Sequence, residues 1–148
     1  MMYFVDREKI EQILTYMDSL LQEVKNEQPG NKLEQLGLER IAQMVTEAIL
    51  DTGNMMIDGF IMRDPGGFDD IIDILIDEQV LPKADENTYK TMIQLRKQVV
   101  KDYLRTDHSM LRDIILDNVE VLDQFSSHIR HYLDNELGVA NAFSNDDN

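Results

Sequence analysis

The residues best suited to chemistry in this chain lie within one short segment. Arg96, Lys97, Lys101, Tyr103 and Arg105 occur there, in a region whose composition favours a helix. On a helix, a spacing of four places Lys97, Lys101 and Arg105 on one face. Arg96 and Tyr103 are seven residues apart and share a second face nearby. Cations grouped in this way can hold a phosphate, so the spacing predicts an anion site.

This basic patch also has a plainer interpretation, which residue types alone leave open. Its cations can form an ordinary solvated face, paired with Asp102 and Asp107 of the same segment. The rest of the chain is strongly acidic, with 29 acidic and 14 basic residues and a formal net charge of −15. A surface of that charge repels nucleic acid on average, so any nucleic-acid contact must be local to the patch.

Composition excludes several other classes of protein. The 148 residues include no cysteine, which excludes disulfides, thiolate catalysis and zinc ribbons and suits a cytoplasmic protein. No run approaches the roughly eighteen apolar residues that span a bilayer, and residues 1–7 lack a secretion signal pattern. We therefore predict a soluble, cytoplasmic protein that contacts no membrane and needs no cofactor.

Helices must position the patch. The chain has few prolines and glycines, and its apolar residues recur at steps of three and four. Short loops between such stripes predict an all-α antiparallel bundle of four main helices and one short helix. One domain should cover residues 1–148, with a frayed tail at 138–148. The helix signals are an Asp6 cap, a stripe from Leu33 whose helix ends near Gly59 to Met62, a short stripe from Phe68, a start near Asp85 or Asn87, and a stripe from Leu111.

Two of these helices matter for the site. The fourth predicted helix carries the basic patch and includes Tyr103. The last is expected to be one long helix, because its apolar stripe continues from Leu111 to Leu133.

The order Arg, four residues, a basic position, one residue and Tyr resembles a known motif. It is similar to the Arg-x-x-x-x-His-x-Tyr motif of the HepT toxins, within the HEPN group of helical ribonucleases. The likeness extends over about residues 5 to 135 in helix order. It also includes Glu47, Asp51, Asn54 and Ile57, the turn at Gly66 and Gly67, Phe68, and the stripe into Val80. The resemblance implies a homodimer whose two motif helices face each other across a two-fold cleft.

The resemblance also implies roles for the patch. Arg96, Lys101 and Tyr103 occupy the catalytic motif positions. Arg96, Lys97, Lys101 and Arg105 would bind the phosphate of an RNA or a nucleotide.

Two further residues gain roles from the same resemblance. In the family, the motif tyrosine accepts AMP from a nucleotidyltransferase antitoxin of the MntA type, which makes Tyr103 a candidate acceptor. The alternative for Tyr103 is an amphipathic side chain that ends an apolar stripe with its hydroxyl in water. Asn54 would support the cleft, and a capping or helix-packing role is its alternative.

The chain departs from the motif at its central residue, because Lys101 stands where the family has histidine. Cleavage of RNA without a metal needs a group that takes the proton of the ribose 2′-hydroxyl, and histidine titrates near neutral pH. An unperturbed lysine, with a pKa of about 10.4, is a poor base there unless burial or adjacent cations favour its neutral form. His108, twelve residues after Arg96, does not restore the spacing. The sequence therefore predicts catalysis that is weakened or lost.

Two other groups of residues have side chains of the kind that bind metals. Asp70, Asp73 and Asp77 lie roughly on one face of the short helix, but a solvated acidic face explains them better. His128 and His131 are one turn apart, with only Asp134 close by as a further ligand. We predict no metal site.

Two hypotheses for function remain. The first is a HepT-like protein of toxin–antitoxin type that binds RNA or a nucleotide phosphate, with catalysis weakened or lost. The second is a non-enzymatic acidic helical dimer that acts as an interaction partner, for example of a nucleotidyltransferase antitoxin.

Overall fold

The structure is all-α. This computed structural model describes the backbone of residues 5–146 and the side chains of residues 5–137. Within that range the chain forms α-helices and two short 3₁₀ turns, at Lys83–Asp85 and Tyr103–Arg105, and no strand. The α-helices are α1 (Arg7–Asn26), α2 (Lys32–Gly59), α3 (Phe68–Asp77), α4 (Glu86–Lys101), α5 (His108–Asp117) and α6 (Val119–Asp146). The predicted all-α class is confirmed.

Capping residues explain where the first helices begin. The Asp6 carboxylate accepts a hydrogen bond from the Lys9 backbone N–H at 3.0 Å and so caps α1. Asn31 caps α2 in the same way, accepting from the Glu34 N–H at 2.9 Å. The predicted Asp6 cap and the predicted start of the short helix at Phe68 are correct.

The predicted final helix is wrong, because the chain forms two helices there and six in all within the described residues. The break lies at Asn118, whose backbone has φ −106° and ψ 1°. Its side-chain amide donates to the Ile114 carbonyl at 2.9 Å, and its Oδ1 accepts from the Thr88 hydroxyl at 2.7 Å. A one-residue interruption leaves the apolar stripe nearly in phase, so the sequence periodicity does not reveal it.

The predicted fourth helix is also too long. It ends at Lys101, because Asp102 leaves the helical region at φ −106° and ψ 41°. Asp107 then caps α5, accepting from the Met110 N–H at 3.0 Å. Tyr103 and Arg105 therefore lie in a 3₁₀ turn between two helices, and the helical faces predicted to include them do not extend that far.

The helix α2 is the element against which the site is built. It packs against α1, α3, α4 and α5. The buried Thr46 hydroxyl of α2 donates to the Met92 carbonyl of α4 at 3.1 Å, which fixes the register of these two helices. Gly53 lets α3 approach closely, since a Cβ at this position would lie 2.6 Å from Ile71 Cγ2.

Some predictions lie beyond these observations. The side chains of residues 138–148 and the backbone of residues 147–148 lie outside the described part of the chain. The fraying of this tail therefore stays a prediction. One domain over 1–148 also stays a prediction. In the described part of the chain, no helix combines the length and the apolarity that crossing a membrane requires.

Candidate anion-binding site

Arg96 is held in place by two other helices. Its Nε donates to Oε1 of Glu47 on α2, and its guanidinium carbon lies 5.0 Å from the ring centroid of Phe68 at the start of α3. The side chains of Arg96 and Glu47 are 23% and 27% exposed. A cation over an aromatic face and a charged hydrogen bond restrict the guanidinium to one orientation.

The register of α2 and α4 brings these groups together. Thr46 of α2 contacts the Met92 carbonyl of α4. Glu47 follows Thr46 by one residue, and Arg96 follows Met92 by one helical turn, so both lie next to this contact. The ion pair therefore follows from a buried contact of the core. Only Nε of Arg96 is engaged with a residue that the structure describes, so both Nη atoms can donate to a further anion.

The other three cations of the patch have no acidic partner. Lys97, Lys101 and Arg105 are exposed, and none forms an ion pair with any described residue. The alternative pairing of the patch with Asp102 and Asp107 is therefore not observed. A groove of about 370 Å³ runs along residues 101–105.

Tyr103 stands at the edge of this groove, 64% exposed. It ends no apolar stripe, because α4 has stopped two residues earlier. Leu104 beside it is 86% exposed, and Val100 and Met110 are also exposed. Apolar side chains thus surround the cations of the patch.

Asn54 lies on α2 at some distance along the helix from the Arg96 contact. Its side chain is exposed and makes no hydrogen bond to any residue within the described range. The position is interior to α2, so Asn54 caps neither end of the helix. Its supporting role stays a prediction.

A second carboxylate lies one turn from Glu47. Partial burial, with the neighbouring charge of Glu47, raises the pKa of Asp51, and the more distant charge of Lys9 acts in the opposite direction. Asp51 lines a groove with Lys9 and Tyr16 of α1, whereas Glu47 bonds to Arg96. Glu47 is therefore the carboxylate of this pair that contacts the patch.

Lys90 belongs to α4 but not to the site. Its Nζ lies 2.8 Å from Asp73 and 3.1 Å from Glu86, and these hydrogen bonds raise its pKa. Arg63 pairs with Asp70 at 2.9 Å and with Asp77 at 3.4 Å, and the first bond lowers the pKa of Asp70. The acidic face of α3 is thus occupied by ion pairs.

Metal ligation gains no support from the arrangement. No three His, Asp or Glu side chains of the described part come together in a way that could hold an ion. His128 and His131 line a cleft of about 560 Å³ between α6 and the end of α3, and His131 Nε2 lies 3.1 Å from the Asn135 amide.

Sequence reasoning missed the partners that hold the motif segment. In the sequence, Glu47 stands out only for its place in the resemblance, and Phe68 only for its place there and as a helix start. A second pair, His108 Nε2 with Glu39 Oε2 at 2.9 Å, was not foreseen at all. These contacts join residues 49 and 69 positions apart, and no local spacing signals such a pair.

Comparison with known proteins identifies the family of this chain and a related structure. The sequence model of a family described as "Ribonuclease HepT-like" matches residues 7–129. The chain is 44% identical over 143 residues to "Putative RNase YutE" of Bacillus subtilis (strain 168), covering 96% of this chain and 99% of that protein. A solved structure of YutE from Bacillus subtilis, described as a cytosolic protein of unknown function, superposes with a TM-score of 0.88. That match covers 93% of this chain and 96% of the other.

Proposed function

Because this chain belongs to the HepT-like ribonuclease family, we propose that it is a toxin–antitoxin-type member that binds RNA through the patch and cleaves it weakly or not at all. Arg96, Lys97, Lys101 and Arg105 hold the phosphates in this proposal. Arg96 is the oriented ligand, and the three exposed cations supply the surrounding positive charge.

The observation that carries the proposal is the contrast between Lys90, in the first half of α4, and the three cations at or just beyond the end of that helix. Lys90 is committed to Asp73 and Glu86, whereas Lys97, Lys101 and Arg105 face solvent without an acidic partner. Carboxylates are plentiful in a chain of net charge −15. A cluster of cations that pairs with none of the described carboxylates therefore favours the binding of a separate anion. Phosphate groups of RNA fit that requirement.

The weakness of cleavage rests on Lys101. This exposed side chain stands where the family has histidine, the residue whose titration near neutral pH suits a general base. The remaining motif residues can orient a phosphate and stabilise charge on it, but they do not take up the 2′-hydroxyl proton. Binding is therefore retained while the proton transfer is lost.

Tyr103 is the acceptor in a modification that regulates the site. Its exposed phenolic oxygen attacks the α-phosphorus of ATP on a nucleotidyltransferase of the MntA type. The new bond joins the tyrosine oxygen to AMP, pyrophosphate leaves, and the phenolic proton passes to a base of the transferase or to water. The added phosphate places negative charge beside the patch and competes with RNA.

Two copies of the chain form the binding cleft. Val100, Tyr103, Leu104 and Met110 are exposed apolar or aromatic side chains around the patch, and a second copy would cover them. The two patches then face each other across the two-fold axis.

RNA binding and cleavage test the proposal directly. Wild-type protein, incubated with a single-stranded RNA and no divalent metal, is expected to bind the RNA and leave it intact. Lys101→His is expected to generate cyclic-phosphate ends, and Arg96→Ala in that background to abolish them. Lys101→Gln should weaken binding and its salt dependence, whereas Lys90→Gln, which removes a charge of the same helix outside the patch, should not.

The exposed apolar side chains around Tyr103 support the second hypothesis, in which the protein is a non-enzymatic interaction partner. Other outcomes of these experiments favour that hypothesis. If wild type and Lys101→Gln bind RNA equally weakly, the patch is not an RNA site. Efficient cleavage by the wild type would instead contradict the loss of catalysis. Intact mass after incubation with the transferase and ATP, compared with Tyr103→Phe, checks the modification separately.

A further inference from the structure

The motif segment is fastened to α2 at two points. Helices α4 and α5 form a hairpin, because α5 returns to the start of α4, where the Thr88 hydroxyl donates to Asn118 at 2.7 Å. Residues 102–107 form the tip of this hairpin. On one arm Arg96 bonds to Glu47, and on the other arm His108 bonds to Glu39.

The tip itself contains little that fixes its position. The Asp102 N–H donates to the Gln98 carbonyl at 2.8 Å, and the Arg105 N–H donates to the Asp102 carbonyl at 3.3 Å. Both bonds lie within the hairpin, and every residue from 102 to 105 is exposed. The tip therefore depends on contacts at its ends for its place relative to α2.

The contact at the far end is between His108 and Glu39. Oε2 of Glu39 lies 2.9 Å from Nε2 of His108, and the two side chains are only 15% and 21% exposed. His108 is the first residue of α5, where the helix dipole also favours a nearby carboxylate. The Nε2–H of a histidine ring can donate to a carboxylate whether the ring is neutral or charged. The contact therefore does not require a charged His108.

We propose that Glu39 and His108 are positioning residues that hold the hairpin tip, and with it Lys101 and Tyr103, against α2. Glu39 and Glu47 are eight residues apart on α2, about 12 Å along the helix, and their partners bracket the motif in the sequence. The first contact orients the arginine, and the second sets where the tyrosine and the lysine stand relative to it. What the tip does in this arrangement rests on the proposed function, but its attachment does not.

Hydrogen exchange of the tip tests the attachment. Glu39→Ala and His108→Ala should each speed amide exchange of Arg105, Met110 and Leu111, which are hydrogen-bonded within or beside the tip, by about tenfold, while exchange in residues 88–96 stays unchanged. The double variant Glu39→His with His108→Glu exchanges the two partners and should restore protection. Glu11→Gln is the matched control, because it breaks another long-range ion pair, with Arg130 at 3.1 Å, far from the tip in sequence.

Binding to the single-stranded RNA is measured on the same variants. The two single variants should raise the Kd several-fold without lowering the folded fraction, and the swapped pair should recover most of the affinity. A purely structural contact would change the melting temperature and leave both tip exchange and the Kd of the folded protein unchanged.

The outcomes separate the two proposals. Unchanged tip exchange in folded His108→Ala, or a swapped pair that stays unprotected, overturns the positioning role. Wild-type protein that binds no RNA overturns the proposed function, while the exchange data still decide the role of the pair. If His108→Ala does not fold, Glu39→Ala and the swapped pair decide it.

Discussion

Arg96 and Lys101 are cations of the same helix, yet their surroundings give them different abilities. Arg96 is restricted by Glu47 and Phe68, so its free Nη atoms meet a phosphate at little further entropic cost. Lys101 is exposed and forms no hydrogen bond to a described residue, which suits a diffuse contribution of charge. The first can orient a substrate, and the second can only attract it.

Another residue, Tyr89, carries a stability prediction at this scale. It is 1% exposed, and its hydroxyl has no hydrogen-bond partner among the described residues. Tyr89→Phe removes the desolvation cost of this hydroxyl, so the free energy of unfolding at pH 7 should stay unchanged or rise by about 1 kcal/mol. Urea denaturation measures this, and a clear loss of stability would mean that the hydroxyl is hydrogen-bonded.

The same substitution has a pH dependence with a defined sign. Burial, and secondarily the charge of Asp85, raises the pKa of Tyr89, so the folded protein keeps this proton where the unfolded chain loses it. The contribution to stability is complete below the ordinary tyrosine pKa of about 10 and declines as the pH rises above it. The wild type should therefore lose more stability than Tyr89→Phe above that pH. Parallel unfolding curves at all pH values would contradict this.

At the scale of elements, close packing of α3 on α2 places Phe68 against Arg96. The approach depends on Gly53, where a Cβ would lie 2.6 Å from Ile71 Cγ2 and 3.2 Å from Leu75 Cδ1. A side chain at this position would push α3 away from α2. The contact between Phe68 and Arg96 thus depends on Gly53, which lies elsewhere in the interface between α2 and α3.

Two glycines of the same helix provide a matched test. Gly53→Ala should destabilise the protein by about 1–3 kcal/mol, because overpacking outweighs the gain in helix propensity. Gly37→Ala meets nothing within 4 Å and should instead stabilise it by up to about 1 kcal/mol. Thermal and urea unfolding of both variants measure the difference. Equal effects would show that α3 can move away without cost.

At the scale of the whole molecule, the exposed apolar residues near the tip predict where two copies meet. Leu104 is 86% exposed, and Leu33, at the start of α2, is 79% exposed. If the tip forms the dimer contact, Leu104→Asp should convert a dimer into a monomer, whereas Leu33→Asp should leave it intact. Analytical ultracentrifugation distinguishes these masses. A dimer that survives Leu104→Asp but not Leu33→Asp would place the contact at the start of α2 and not at the tip.

The sequence by itself determined the all-α class and the family, because apolar periodicity and a short motif are local properties of the chain. It also determined that Asp6 begins a helix, and it predicts from the resemblance that Lys101 stands where the motif has histidine, since both depend on residue identity and local spacing. It did not reveal the ends of α4 and α5, because Asp102 and Asn118 interrupt helices whose apolar stripes continue.

Only the tertiary structure decided which cations form ion pairs with the described carboxylates and which do not. Lys90 and Lys101 look alike in the sequence, but α3 brings Asp73 to the first and nothing in the described chain pairs with the second. The Glu47 and Glu39 contacts likewise depend on the register of α2 against the α4–α5 hairpin. That register is set by buried contacts between residues distant in the chain, such as Thr46 with Met92, which no local pattern of residues encodes.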